Sequence, residues 1–175
     1  MLNFIKSKLI SSNKTKEEFI KNFFLDPNHH WISDNQRIKK AFLMLLNELD
    51  QKHITFFSQH QTFFIPCQAN LSCAIGKTKN HHLILVFPEL ITLLQSASYL
   101  QGIAILAHEL GHIYYQHTEN KIDTLMAQIE ADDFALQLGF GEELQEVLLD
   151  HVHSVDCRVR ISKLTTKMIE RKYNQ

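Results

Sequence analysis

Residues 103–112 read IAILAHELGH, an apolar run that carries two histidines four positions apart. Apolar flanks of this kind predict a buried helix, and the pattern extends it over about residues 101–117. Imidazoles in such a helix allow two interpretations. Either the helix binds a metal, or it is a core helix with one satisfied histidine and a solvent-facing partner.

The pattern of apolar residues along the chain predicts helices, then a small sheet, then helices again. Helices are expected over residues 15–25, 35–51, 88–97, 101–117 and 121–138, with a last pair across 142–173. Asp34 is the expected N-cap of the second helix. Short β-branched and aromatic runs, ITFF, TFFIP, SCAIG and HHLILVFP, predict three or four strands of a small, mainly antiparallel sheet. The expected fold class is therefore α+β.

The length of 175 residues fits one domain with a continuous core. We expect a single domain over residues 1–175, with an N-terminal helical region (1–53), the sheet and its connecting helix (54–97), and the metal-site and C-terminal helices (98–175). The formal net charge of -1, from 18 Lys+Arg against 19 Asp+Glu, gives no field that favours nucleic acid or an anionic membrane. The oligomeric state stays open.

Cysteine usage and hydropathy predict a soluble, cytoplasmic protein. Cys67, Cys73 and Cys157 are odd in number and lack CxxC spacing, which indicates neither a disulfide framework nor a zinc ribbon. The N-terminal segment is interrupted by Lys6 and Lys8, so it lacks the apolar stretch of a secretory signal. No apolar stretch of about 20 residues, the length that spans a bilayer, is present.

The two histidines have the geometry of a metal site. Successive residues of an α-helix turn by about 100°, so His108 and His112 share a face and Glu109 lies beside them. Two neutral imidazoles one turn apart supply two ligands, and the adjacent carboxylate can take a proton from a metal-bound water. This is the HExxH arrangement of zinc hydrolases, which predicts Zn²⁺ as cofactor and Glu109 as general base.

Such a site needs a third protein ligand. His117 is the nearest candidate in the sequence, but it lies roughly 180° around a continuous helix from His108 and could not join the site without a break. The HExxHxxGxxH pattern of metzincins fails as well, because Tyr115 and Thr118 stand where that pattern has Gly and His. We therefore expect His117 at the surface or at the helix end.

HELGH followed by QIEADDFALQLGF at residues 128–140 resembles the gluzincin metallopeptidases. These include peptidases of the CAAX-prenyl-endopeptidase and HtpX kind, the soluble minigluzincins, and small peptidases predicted in phages and mobile elements. The resemblance covers about residues 101–165, and residues 1–53 add nothing to it. It implies a zincin-like fold, a peptide or protein substrate, and a zinc ion bound by both histidines and a glutamate.

The third-ligand helix departs from the E-x-x-A-D pattern of these families, because Gln128 takes the place of the ligand Glu. Helix geometry puts Gln128 and Asp132 on one face, with Glu130 pointing away onto a polar stripe. Three explanations remain open: the Gln128 carbonyl oxygen binds the metal, a local distortion brings in Glu130, or Asp132 reaches the metal itself. In the related families Asp132 would accept a hydrogen bond from His108 and fix its tautomer.

Two functional hypotheses follow. The first is a zinc-dependent metallopeptidase in which Glu109 acts on a zinc-bound water. The second is a catalytically silent or regulatory module that keeps the peptidase fold to bind a metal or a partner, and Gln128 is its main support. The strand HHLILVFP would hold a peptide substrate if it lies at a sheet edge, or pack normally if it is interior. Arg160 is expected on a charged face of the last helix.

Overall fold

The computed structural model describes residues 15–68, 75–78 and 81–173. Along the chain these form α1 (Lys16–Leu25), a 3-10 turn (Pro27–His29), α2 (His30–Ser33), α3 (Gln36–Glu48), α4 (Gln51–Gln59), β1 (Gln61–Pro66), β2 (Ile75–Thr78), β3 (His81–Val86), α5 (Pro88–Gln95), α6 (Tyr99–Tyr114), α7 (Thr124–Gln137), α8 (Gly141–Leu149) and α9 (Val155–Tyr173). The predicted α+β class is confirmed. Cys73, the start of the SCAIG run and the N-terminal segment with Lys6 and Lys8 lie outside the described residues.

The second predicted helix, α3, begins one residue later than expected. Asn35 has the extended backbone of an N-cap, and its side chain accepts hydrogen bonds from the amides of Arg37 and Ile38. The prediction that Asp34 caps this helix is wrong, because Asp34 keeps a helical backbone and closes α2. The apolar face of α3 is buried as its spacing predicts, through Ile38, Phe42, Leu45 and Leu46.

The first predicted strand, ITFF at residues 54–57, is also wrong, because these residues belong to α4. A reciprocal capping box starts this helix: Asp50 accepts from the His53 amide, and the His53 ring accepts from the Asp50 amide. Ile54 and Phe57, three positions apart, are both buried. A short apolar run fits helix or strand equally well, and here the cap and the three-residue spacing decide for helix.

The sheet is mixed, so its expected mainly antiparallel character is wrong. The strand order is β1-β3-β2, with β1 parallel to β3 and β2 antiparallel to β3. β2 runs back along the sheet and only two residues separate it from β3, which therefore runs parallel to β1. β3 is interior to the described sheet, and His82, Ile84 and Val86 are its buried alternate residues. An added peptide strand could therefore pair only with β1 or β2.

Helix α6 is the central helix of the fold. At Gly111 it packs so closely against α7 that no larger residue would fit there. A Cβ on Gly111 would lie 2.8 Å from the Phe134 Cβ and 2.9 Å from the Ala131 Cα. Gly102 makes a similar close approach to Leu94 of α5. The glycine of HELGH therefore sets the distance between α6 and α7. Within the described parts of the chain, no helix is long and apolar enough to cross a membrane.

His29 joins the N-terminal helices to the sheet. Its Nδ1 lies 2.9 Å from the Phe23 carbonyl oxygen, and its Nε2 lies 3.2 Å from the Phe64 amide nitrogen. A neutral ring with its proton on Nδ1 satisfies both groups, since it donates to the carbonyl and accepts from the amide. Burial lowers the pKa of His29 from its usual 6.5, although the Phe23 carbonyl opposes that shift.

Acid should therefore weaken the fold through His29. Because the folded-state pKa of His29 lies below the unfolded value of 6.5, the unfolded chain binds more protons as the pH falls below about 6.5. The free energy of unfolding then falls by up to about 1.4 kcal/mol per pH unit for this one proton. Urea unfolding of wild type and His29→Gln between pH 7.5 and 5.5 measures this free energy. Its dependence on pH should be steeper in wild type than in His29→Gln. His30→Gln, an exposed neighbour, should follow the wild type; parallel curves for His29→Gln would contradict the prediction.

Candidate metal centre

Helix α6 brings the rings of His108 and His112 together. Their Nε2 atoms are 3.1 Å apart, the ring centroids are 4.7 Å apart, and the ring planes stand at 87° to each other. His108 is buried and His112 is half-buried. The two nitrogens that could bind an ion therefore point at a common place on the α7 side of the helix.

Gln128 of α7 faces both rings. Its Oε1 lies 3.1 Å from His108 Nε2, and its Nε2 lies 3.3 Å from His112 Nε2. Glu130, another residue considered as third ligand, is directed elsewhere, and its carboxylate lies 2.9 Å from His117 Nε2. Of the two candidates, the structure brings only Gln128 beside the Nε2 atoms of the two histidines.

Asp132 lies on the opposite edge of His108. Its Oδ1 is 2.8 Å from His108 Nδ1, an ion-pair distance, although the contact is not aligned as a hydrogen bond. Asp132 is 2% exposed. Burial by itself raises the pKa of Asp132, but the hydrogen bonds from Arg160 and the nearby His108 outweigh it and hold the pKa below its usual 3.8. Asp132 is thus a buried carboxylate that stays ionised behind the His108 ring.

Arg160 of α9 is the partner that keeps Asp132 charged. Its Nε donates to Asp132 Oδ2 at 2.8 Å and its Nη2 donates to Asp132 Oδ1 at 2.6 Å, a two-pronged contact. The expectation that Arg160 lies on a charged outer face is wrong, since its side chain is only 13% exposed. The arginine and the aspartate are 28 residues apart, and helical spacing within α9 carries no information about that contact.

His117 is folded back against the site by the end of α6. Gln116 adopts φ 56, and the amides of Gln116 and His117 donate to the carbonyls of Ile113 and His112. This is a Schellman turn, which usually has Gly at the left-handed position, so the Gln gave no warning of it. The His117 side chain is 6% exposed. It lies at the helix end as expected, but it is not a surface residue, and its Nδ1 is 2.9 Å from His112 Nδ1.

Glu109 follows His108 on α6 and is half-buried. Among the described residues its carboxylate has no hydrogen-bond or ion-pair partner. A carboxylate that is not held by a cation can accept a proton. Glu109 is therefore a candidate base next to His108 in the sequence.

The imidazole of His112 is held in its neutral form. Burial, followed by repulsion from His108, His117 and Arg160, lowers the pKa of His112 to about 3. A neutral imidazole keeps the nitrogen lone pair that metal binding requires. At pH values well above that pKa, His112 therefore keeps the lone pair that a metal ion would bind.

The spacing of the three side chains fits a zinc ion. Ligand atoms about 2.0–2.1 Å from a tetrahedral zinc stand about 3.3 Å apart, and His108 Nε2 lies 3.1 Å from both His112 Nε2 and Gln128 Oε1. Within residues 15–68, 75–78 and 81–173, no group of three His, Cys, Asp or Glu side chains is arranged to hold a metal, and the candidate centre itself contains only two of them, both histidines. The set that fits is therefore two imidazoles and one neutral amide.

Loss of Arg160 should destabilise the protein strongly. Arg160→Met leaves the buried Asp132 charge without its partner, at an expected cost of about 3–5 kcal/mol in the free energy of unfolding. Denaturant unfolding measures it, with Lys163→Met, an exposed cation of α9, as control within about 0.5 kcal/mol of wild type. Adding Asp132→Asn to Arg160→Met should recover part of the loss. Equal effects of Arg160→Met and Lys163→Met would show that this ion pair contributes nothing.

The profile of Peptidase family M48 matches residues 35–155. The match begins in α3, far ahead of the segment whose motifs resemble known peptidases, and extends through the central helix and both helices that follow it. No curated protein and no solved structure matches the chain. Because the family profile covers more than half of the sequence, the chain belongs to peptidase family M48, a family typically of metal-dependent peptidases that act on peptides or proteins.

Proposed function

We propose that this protein is a zinc-dependent peptidase with His108, His112 and Gln128 as metal ligands and Glu109 as general base. The observation that carries the proposal is that His108 Nε2 lies 3.1 Å from both His112 Nε2 and Gln128 Oε1. The neighbouring Glu109 carboxylate has no partner among the described residues. The family supports a metallopeptidase, and the spacing of these atoms supports zinc.

The position of the proton on His108 decides what its Nε2 can bind. Asp132 beside Nδ1 favours a proton there, which leaves Nε2 as a lone pair. That lone pair faces the Gln128 carbonyl oxygen at 3.1 Å, and both atoms are then acceptors. Two acceptors at this distance repel each other unless a positive charge lies close to both. A divalent cation would resolve the conflict.

The residues around the ion would divide the work of hydrolysis. Zinc, when bound, supplies a Lewis acid that polarises the substrate carbonyl. Glu109 would accept the proton of the attacking water and return it to the leaving amide nitrogen. Asp132, held by Arg160, would keep the His108 ring in one orientation.

The neutral amide of Gln128 favours a second candidate function. An amide oxygen binds zinc less strongly than a carboxylate, because it brings no charge to the ion. A protein with this ligand set could hold a metal or a partner without turning over a peptide. Metal binding without hydrolysis of any peptide would support this silent module over the enzyme.

Glu109→Gln separates the enzyme from the module. The variant should bind zinc with the stoichiometry of wild type, while kcat/KM for peptide hydrolysis should fall by about 10²- to 10⁴-fold, the usual contribution of a general base. Zinc content by elemental analysis and hydrolysis of a mixed peptide library measure the two effects. Glu170→Gln, which neutralises an exposed carboxylate on α9, should leave both unchanged. Full activity in Glu109→Gln would remove Glu109 from its role.

Gln128→Glu tests the third ligand. A carboxylate at this position would add a full charge beside a divalent cation, so zinc affinity should rise by at least about tenfold. Chelator competition measures the dissociation constant. Gln137→Glu, an exposed position on the same helix, adds the same charge away from the site and should change the affinity little. An unchanged affinity in Gln128→Glu would exclude Gln128 as a ligand.

A further inference from the structure

We infer that Glu130 and His117 are positioning residues for His112, acting in series to keep its Nε2 free for the metal. The inference rests on the proposed metal centre and adds two residues that do not touch the ion. It assigns a role to Glu130 other than the one considered from the sequence, where it was a candidate ligand. Three consecutive contacts support it.

The contacts form one continuous chain from the surface to the site. The Glu130 side chain is 41% exposed, and its carboxylate lies 2.9 Å from His117 Nε2. The buried His117 ring lies 2.9 Å from His112 through the two Nδ1 atoms. His112 Nε2, on the far side of its ring, lies 3.1 Å from His108 Nε2. Each of the two imidazoles thus has one nitrogen facing outward along this chain, while the other faces the next ring toward the proposed site.

The proton positions follow from the first member of the chain. An ionised carboxylate only accepts hydrogen bonds, so the proton of a neutral His117 must be on Nε2. His117 Nδ1 is then an acceptor, and the Nδ1 of His112 must donate to it. A neutral ring has one N–H, so His112 Nε2 is left as a lone pair directed at the site. Glu130 therefore sets the tautomer of a ligand that it does not contact.

The local fold holds His117 in this place. The Schellman turn at Gln116 carries the chain back over the end of α6, and the Tyr115 ring stacks on the His117 ring with centroids 5.7 Å apart and planes at 23°. Rotation of the ring away from His112 would break this stack and both hydrogen bonds. These contacts hold the His117 ring in one orientation.

The charge of Glu130 also matters because Gln128 is neutral. Asp132, behind His108, is balanced by Arg160. Glu130 contacts neither Lys nor Arg among the described residues, so its negative charge is uncompensated there. Through His117 that charge makes His112 a better electron donor to a cation. The pair supplies from one layer outside the ligands part of the negative charge that the amide lacks.

Glu130→Gln, His117→Phe and the double variant test the inference in the full-length chain. Phe keeps a ring against Tyr115 but carries no nitrogen. Zinc affinity by chelator competition should fall by about 10- to 100-fold in either single variant. The double variant should lose no more than His117→Phe alone, because Glu130 acts through His117. Glu170→Gln serves again as the control that removes an exposed carboxylate, and its affinity should equal that of wild type.

Imidazole nitrogen NMR gives a readout that simple packing would not change. Without added metal, His112 should carry its proton on Nδ1 in wild type and in Glu170→Gln, and should lose that preference in His117→Phe. An unchanged tautomer together with unchanged zinc affinity in both single variants would overturn the inference and leave the proposed function standing. If neither wild type nor Gln128→Glu binds zinc, the proposed function fails, and with it the role of the pair toward the metal.

Discussion

The candidate centre depends on how closely α6 and α7 approach each other at Gly111. With no side chain there, Ala131 and Phe134 of α7 pack directly on the α6 backbone. The same contact places Gln128 and Asp132, one turn apart on α7, on the two edges of the His108 ring. A single helix therefore contributes the candidate ligand on one side of the histidine and its charged support on the other. Gly111 therefore contributes to the candidate centre by allowing the close approach of α6 and α7.

Helical periodicity predicted much of this arrangement. It gave the helices from α5 to α9 to within a few residues, the shared face of His108 and His112, and the shared face of Gln128 and Asp132. It failed where a decision depends on local capping or on distant pairing. The run at 54–57 is helical because of the cap at Asp50, and the parallel pairing of β1 with β3 depends on the path of the chain between them.

The contacts of His117, Arg160 and Glu130 could not be predicted from the sequence, for three separate reasons. His117 is turned inward by a left-handed residue that is not glycine, so no letter indicates the turn. Arg160 reaches Asp132 across a tertiary contact that only the packing of α9 on α7 creates. Glu130 does face away from Gln128, as the rotation per residue predicts, but there it also contacts His117. In each case the contacting partner could not be predicted from the sequence.

The distribution of charge ties these residues into one argument. All three atoms that would hold the ion are neutral. Asp132 stands behind the His108 ring, and Glu130 stands behind His117, which contacts His112. One of them, Asp132, is matched by a guanidinium, whereas Glu130 is not. An ion held by neutral ligands keeps more of its own charge, which favours polarisation of a carbonyl and weakens retention of the ion. In such a centre the carboxylates that orient the histidines would add to the strength of metal binding.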